Sequence, residues 1–177
     1  MTPPDKPQIL YEGKFLRLVK RGRWEYAERP GIPGAVAIIA VTDAGELVLV
    51  EQPRIPLDCH TIELPAGLAG DEAGREHEDF AETARRELLE ETGFAAREVT
   101  LLAHGATSAG LTSEAVTLFR ATGLTRVNAG GGHEGESIVV HLVPLADVPR
   151  WLDQQQRAGR VIDLKIFAAL YFAAQAS

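Results

Sequence analysis

Three features of the chain predict an α/β fold: short β-rich apolar runs, helical periodicity in three separate stretches, and the mixing of both along one domain's length. The 177 residues are 45% apolar and 24% charged, enough for one sizeable core. Ile9 to Tyr26 reads as two short strands alternating around Lys20-Arg21-Gly22-Arg23. Arg29-Pro30-Gly31-Ile32-Pro33-Gly34 then breaks the chain, which sets residues 1–33 apart as an N-terminal antiparallel β appendage to a main domain over 34–177. Ala35 to Val41 and Glu46 to Gln52 follow as a hairpin about Thr42-Asp43-Ala44-Gly45, then a third strand from His60 to Leu64. A polar loop over 69–79 leads into a helix from Phe80 to Glu91, with Asp79 as N-cap, Glu82 at the capping-box position and Gly93 as its stop. Strands at Thr100–Ala106, Ala115–Ala121 and Ile138–Val143 and helices at Val148–Ala158 and Leu164–Ala174 complete the pattern.

Composition narrows the function. Eighteen Lys and Arg against twenty-five Asp and Glu give a net charge of -7, the wrong sign for gripping a phosphate backbone, so nucleic acid is not an expected partner. The longest apolar run, Ala35 to Val41, falls far short of the roughly 18 residues a membrane span needs, so no membrane partner is expected. A single cysteine, Cys59, cannot form an internal disulfide, and Met1-Thr2-Pro3-Pro4-Asp5-Lys6 lacks a signal peptide's apolar stretch; the expected location is cytoplasmic.

The anomaly lies on the first helix. Apolar spacing from Phe80 points positions 80, 84, 87 and 91 inward, and the last two are Glu87 and Glu91. Glu90 sits one turn from Glu87, so three carboxylates share about a third of the helix circumference. Like charges at these spacings cost roughly 0.2–0.5 kcal/mol per pair in water and more when desolvated. From the residues alone this is either a solvated acidic face paired with Arg85 and Arg86 or the seat of a hard divalent cation. Oxygen ligands without a nearby His or Cys favour Mg²⁺ or Mn²⁺ over Zn²⁺.

From 85 to 94 the chain reads Arg-Arg-Glu-Leu-Leu-Glu-Glu-Thr-Gly-Phe; Glu78 lies eight residues before Arg86, and Glu63-Leu64-Pro65-Ala66-Gly67 lies upstream. This pattern resembles the Nudix box, which it fits at every position from Glu78 to Phe94. It departs in spacing: ten residues rather than five separate Gly67 from Glu78, an insertion that falls within 71–77. The resemblance implies a Nudix-type α/β/α sandwich with a mixed sheet, and metal-dependent hydrolysis of a nucleoside diphosphate linked to another moiety. By the family pattern Glu87 and Glu91 hold the metal, Mg²⁺ with Mn²⁺ possible, alongside Glu90 and the carbonyl of Ala66. Arg86 and Glu78 orient that set.

Val50-Glu51-Gln52-Pro53-Arg54, the Glu63–Gly67 run and Thr107-Ser108-Ala109-Gly110-Leu111-Thr112-Ser113-Glu114 resemble the ADP-ribose pyrophosphatase branch of that family. Relatives carry Pro where this chain has Ala109. The branch implies a homodimer in which the appendage reaches into the partner. It also implies an adenine pocket around Trp24, Glu25 and Arg29; Trp24 read by itself also fits dimer or core packing. Arg54 contacts the diphosphate by the same resemblance, and Leu68 is assigned to the substrate pocket. Glu134 and Glu136, on the glycine-rich stretch 128–137, both fit the loop glutamate that acts on the water, and the glycines fit a loop that closes over substrate. The expected reaction is ADP-ribose plus water to AMP and ribose 5-phosphate. The alternatives are another nucleotide sugar or dinucleotide as substrate, or a non-catalytic nucleotide sensor. His60, His104 and His141 are expected to be hydrogen-bonded structural histidines, Cys59 inert, and Trp151, Ile166, Leu170 and Ala173 packing residues.

Overall fold

A computed structural model describes residues 6–72, 74–133 and 137–175. Its first unit is a three-stranded antiparallel sheet, β1 (Gln8–Glu12), β2 (Arg17–Arg21) and β3 (Trp24–Glu28). Sequence reasoning expected two strands there. Gly13-Lys14-Phe15-Leu16 supplies a second turn, closed by a hydrogen bond from the Gly13 amide to the Leu16 carbonyl at 2.8 Å. This sheet meets the rest of the chain through Ala27, whose amide donates to Leu111 and whose carbonyl accepts from Ser113.

Two mixed four-stranded sheets form the body. One runs β7 (Ala66–Leu68), β4 (Ala35–Ala40), β9 (Ala115–Arg126), β8 (Phe94–Ala106), with β4 and β9 parallel. The other runs β10 (Val139–Pro144), β5 (Glu46–Arg54), β6 (Cys59–Glu63), β11 (Val161–Ile162), with β6 and β11 parallel. The expected hairpin of β4 and β5 is therefore corrected. Its turn forms, with the Thr42 amide on the Glu46 carbonyl and a bridge between Val41 and Leu47, but the two strands then part into different sheets. The reason lies in their unbroken apolar character: both faces of each strand are buried. Val36, Ile38, Ala40 and Val48 enter one core with Ala84 and Leu88 of α1 (Phe80–Thr92). Ala37, Ile39, Leu47 and Leu49 enter the other with Leu152 of α2 (Val148–Arg157) and Ile166 of α3 (Lys165–Ala174). Helices thus cover both sides of the strands, an α/β/α sandwich. Burying a Val, Leu or Ile side chain is worth about 1.5–3 kcal/mol.

Helix α1 begins and ends where its sequence directs. The Asp79 carboxylate accepts from the Ala81 amide at 2.8 Å, and Gly93 closes the last turn in the left-handed region at φ 74°. Glu82 pairs with Arg85. Strands β7 and β11 were not expected, and β8 and β9 run longer than the expected segments. His60, His104 and His141 are hydrogen-bonded to Glu51, Thr117 and Glu51 respectively, as expected of structural histidines. Among the described residues no helix is long and apolar enough to cross a membrane.

Candidate active site

Helix α1 turns Glu87 and Glu91 toward β7, and both are buried. The Ala66 amide donates to Oε2 of Glu91 at 3.0 Å. Next to it, Gly67 leaves room for Glu87: a Cβ there would lie between 2.0 and 2.5 Å from the atoms of its carboxylate. The glycine of the sequence motif is thus explained by contact, since any side chain would occupy the place of the Glu87 carboxylate.

Arg86 lies behind this set and serves several acids at once. Its Nη1 is 2.9 Å from Glu90, 2.9 Å from Glu87 and 3.2 Å from Glu72, and its Nε is 3.3 Å from Glu78. Burial works against ionisation of Glu78, but hydrogen bonds from Arg75, Thr83 and Arg86 hold it below the usual carboxylate range. Glu87 goes the other way. Burial first of all, then the nearby Glu90 and Asp71, push its carboxyl up to about 7 against the pull of Arg86.

These groups open into a cavity of about 720 Å³. Among the predicted residues, Arg29, Arg54, Ala66, Leu68, Arg86, Glu87, Glu90 and Glu91 line it. Glu78 supports it from behind through Arg86. Trp24 and Glu25, at the start of β3, are both exposed and lie outside this lining in a single chain, with the Trp24 ring beside Gly110. Glu134 and Glu136 lie outside the described residues. The glycines before them behave differently from a free hinge. The amides of Gly131 and Gly132 donate to the carbonyls of Glu91 and Glu90 at 2.9 and 3.0 Å, fastening this stretch to the C-terminus of α1. Gly130 permits that approach, for a Cβ on it would stand 2.4 Å from the Thr92 carbonyl carbon.

Sequence reasoning missed four participants. Glu63, buried on β6, binds Arg54 through both carboxylate oxygens at 2.6 and 2.7 Å and also accepts from Thr61. Burial opposes the charge on Glu63, but those bonds keep it below the usual range. Glu114 holds Arg29 at 2.8 Å. Glu72 comes from the insertion, and His133 follows the fastened glycines, its Nε2 3.0 Å from Glu90. Glu63 and Glu114 stand inside sequence runs already notable as motifs; Glu72 and His133 carry no local signal.

The cavity is strongly acidic. Glu63, Asp71, Glu72, Glu87, Glu90, Glu91, Glu114 and Asp163 line it against Arg29, Arg54, Arg86 and Lys165. Each of those four cations is already ion-paired within it. Crowded, partly buried carboxylates of this kind fit a hard divalent cation, whose charge would offset the burial and the repulsion from Glu90 and Asp71 that raise Glu87.

Comparison with known proteins gives the family. A family model for the NUDIX domain matches residues 31–164. The chain belongs to the NUDIX family. This Nudix chain is 33% identical over 174 residues to the methanol dehydrogenase activator of Bacillus methanolicus, covering 94% of the chain and 89% of that protein. It is 37% identical over 141 residues to the ADP-ribose pyrophosphatase of Bacillus subtilis (strain 168), covering 79% and 71%. A crystal structure of an ADP compounds hydrolase superposes with a TM-score of 0.74 over 98% of this chain and 92% of that one; at 19% identity it attests the fold.

Proposed function

We propose that this Nudix hydrolase cleaves ADP-ribose to AMP and ribose 5-phosphate with the help of Mg²⁺, Mn²⁺ serving as a substitute. The observation that carries the reading is the charge of the cavity: eight carboxylates line it against four already paired cations. A diphosphate is repelled there unless divalent cations bridge it to the protein. Glu87, Glu90 and Glu91, with the Ala66 carbonyl, would hold the metal. When bound, it neutralises charge on the diphosphate and activates water.

The remaining groups bind and orient. Arg86, anchored by Glu78, keeps Glu87 and Glu90 in place. Arg54 presents its guanidinium to the cavity from its pair with Glu63, and such a fork suits phosphate oxygens. Arg29 and Leu68 belong to the substrate pocket, and Glu134 or Glu136 positions or deprotonates the attacking water. Trp24 and Glu25 would join a base pocket through a homodimer in which residues 1–33 form the appendage and 34–177 the hydrolase domain. The exposed Ile9, Tyr11, Phe15 and Trp24 of the N-terminal sheet support such a partner. The 37% identity to an ADP-ribose pyrophosphatase supports the substrate.

Asp71 and Glu72 of the insertion line the cavity, and with Ala109 they favour a second reading in which another nucleoside diphosphate sugar is preferred. A panel of ADP-ribose, other nucleotide sugars and dinucleotides, assayed for phosphomonoester products with Mg²⁺ and with EDTA, decides between them. ADP-ribose should be cleaved fastest and only with metal; faster turnover of another sugar nucleotide would replace the substrate assigned here.

A further inference from the structure

Glu72, Glu90 and His133 come from three separate segments: the insertion before α1, α1 itself and the stretch after the glycines. Yet one ligand atom from each lies within 4.8 Å of the others. Nε2 of His133 is 3.0 Å from Glu90 Oε2 and 3.6 Å from Glu72 Oε1. All three line the acidic cavity.

The arrangement is held from both ends. Gly131 and Gly132 are hydrogen-bonded to the last carbonyls of α1, so the residue that follows is delivered to the flank carrying Glu90. Glu72 is held by Arg75 at 2.8 Å and by Arg86 at 3.2 Å. Charge at this end is under-compensated: Arg75 and Arg86 face Asp71, Glu72, Glu78, Glu87 and Glu90. The buried Nη2 of Arg86 reaches no hydrogen-bond acceptor among the described residues and is 3.7 Å from Asp71.

We infer that Glu72, Glu90 and His133 form a second cation site, adjoining the Glu87–Glu91 set, suited to a borderline first-row divalent ion such as Co²⁺ and able to take Mn²⁺. The inference builds on the proposed metal dependence and shares Glu90 with it. What distinguishes the site is its nitrogen. Imidazole suits first-row transition metals, whereas Mg²⁺ takes oxygen ligands and keeps much of its water. The insertion that lengthens the loop before α1 is therefore what supplies the second carboxylate, and the enzyme gains an ion that the glutamates of α1 alone would not select.

The test uses metal-free full-length protein and Mn²⁺ as the probe. Pulsed electron paramagnetic resonance of the Mn²⁺-loaded parent should show coupling to a directly bound ¹⁴N, lost in His133→Ala. Titration with Co²⁺ should show one class of site weakened about tenfold or more in His133→Ala and in Glu72→Gln. His133 is exposed, so its removal should leave the metal-free melting temperature unchanged, and Glu72→Gln provides an independent variant. Absence of nitrogen coupling in the parent, or equal Co²⁺ titrations for parent and both variants, overturns the assignment. Because Glu91→Gln probes the hydrolase reading separately, either result accompanied by intact Mg²⁺-dependent turnover removes this site alone.

Discussion

Gly67→Ala is a small change with a large expected effect. A Cβ at Gly67 would fall 2.0 Å from Cδ of Glu87. Ordinary van der Waals contact begins near 3.4 Å, so the carboxylate must retreat by roughly 1.4 Å or the β7 backbone must lift from α1. Gly67 lies in a strand outside the left-handed region, so alanine adds no backbone strain there. The clash is with the far end of a flexible side chain, and overpacking of this kind costs about 1–3 kcal/mol of stability. A displacement above 1 Å in a group that holds the reacting centre costs catalysis about 10²-fold. The assay is kcat for ADP-ribose at saturating Mg²⁺, with the melting temperature recorded with and without metal. Near-parental kcat in a folded Gly67→Ala protein would refute the placement of Glu87 at the metal.

Other outcomes follow from the same geometry. Buried Glu51 is held ionised by Arg160, His141 and His60, which keep its carboxyl below the usual range despite burial. A lowered folded-state value means stability present above the unfolded carboxylate range and lost as pH falls through the folded one; Glu51→Gln should therefore cost about 1–3 kcal/mol at neutral pH in chemical denaturation, with the gap narrowing in acid. An undiminished gap in acid would deny that its charge matters. Replacing Glu134 or Glu136 by Gln should lower kcat about 10²–10⁴-fold for the one that acts on water, Glu136 being favoured, with little change in KM; retention of more than half of kcat by both would leave the water to the metal and helix carboxylates. Trp24→Ala should raise KM for ADP-ribose more than it lowers kcat, and light scattering should give a dimer mass at micromolar concentration. A monomer would leave Trp24 exposed and without a pocket.

Helix α1 was legible because its signals are local: Asp79 caps it, Gly93 ends it, and its inward carboxylates break the apolar stripe in a recognisable pattern. Strand partnership was not. The Thr42–Gly45 turn forms as its residues suggest, but β4 chooses β7 and β9 while β5 chooses β6 and β10, and those pairings join residues up to 98 positions apart. Arg54 was marked for the diphosphate from its context, yet the bidentate hold of Glu63 on it is a contact across two strands that no spacing announces. The glycines at 130–132 looked like freedom of movement in composition and are instead close backbone contacts with the end of α1. Glu72 and His133 could not be placed from sequence at all, since one lies in an insertion and the other becomes relevant only through that contact.

In the proposed reaction the α1 carboxylates hold a divalent cation needed for ADP-ribose hydrolysis. Its most direct test is the Mg²⁺ dependence of turnover and of melting temperature in the parent and in Glu91→Gln. A glutamine oxygen can still accept from the Ala66 amide, so the variant should fold with a metal-free melting temperature like the parent's. The parent should produce AMP and ribose 5-phosphate in equal amounts only with metal, and Mg²⁺ should raise its melting temperature by binding the folded state. Glu91→Gln should lose both responses. Turnover that persists in EDTA, or a Glu91→Gln enzyme that matches the parent at saturating Mg²⁺, would contradict it.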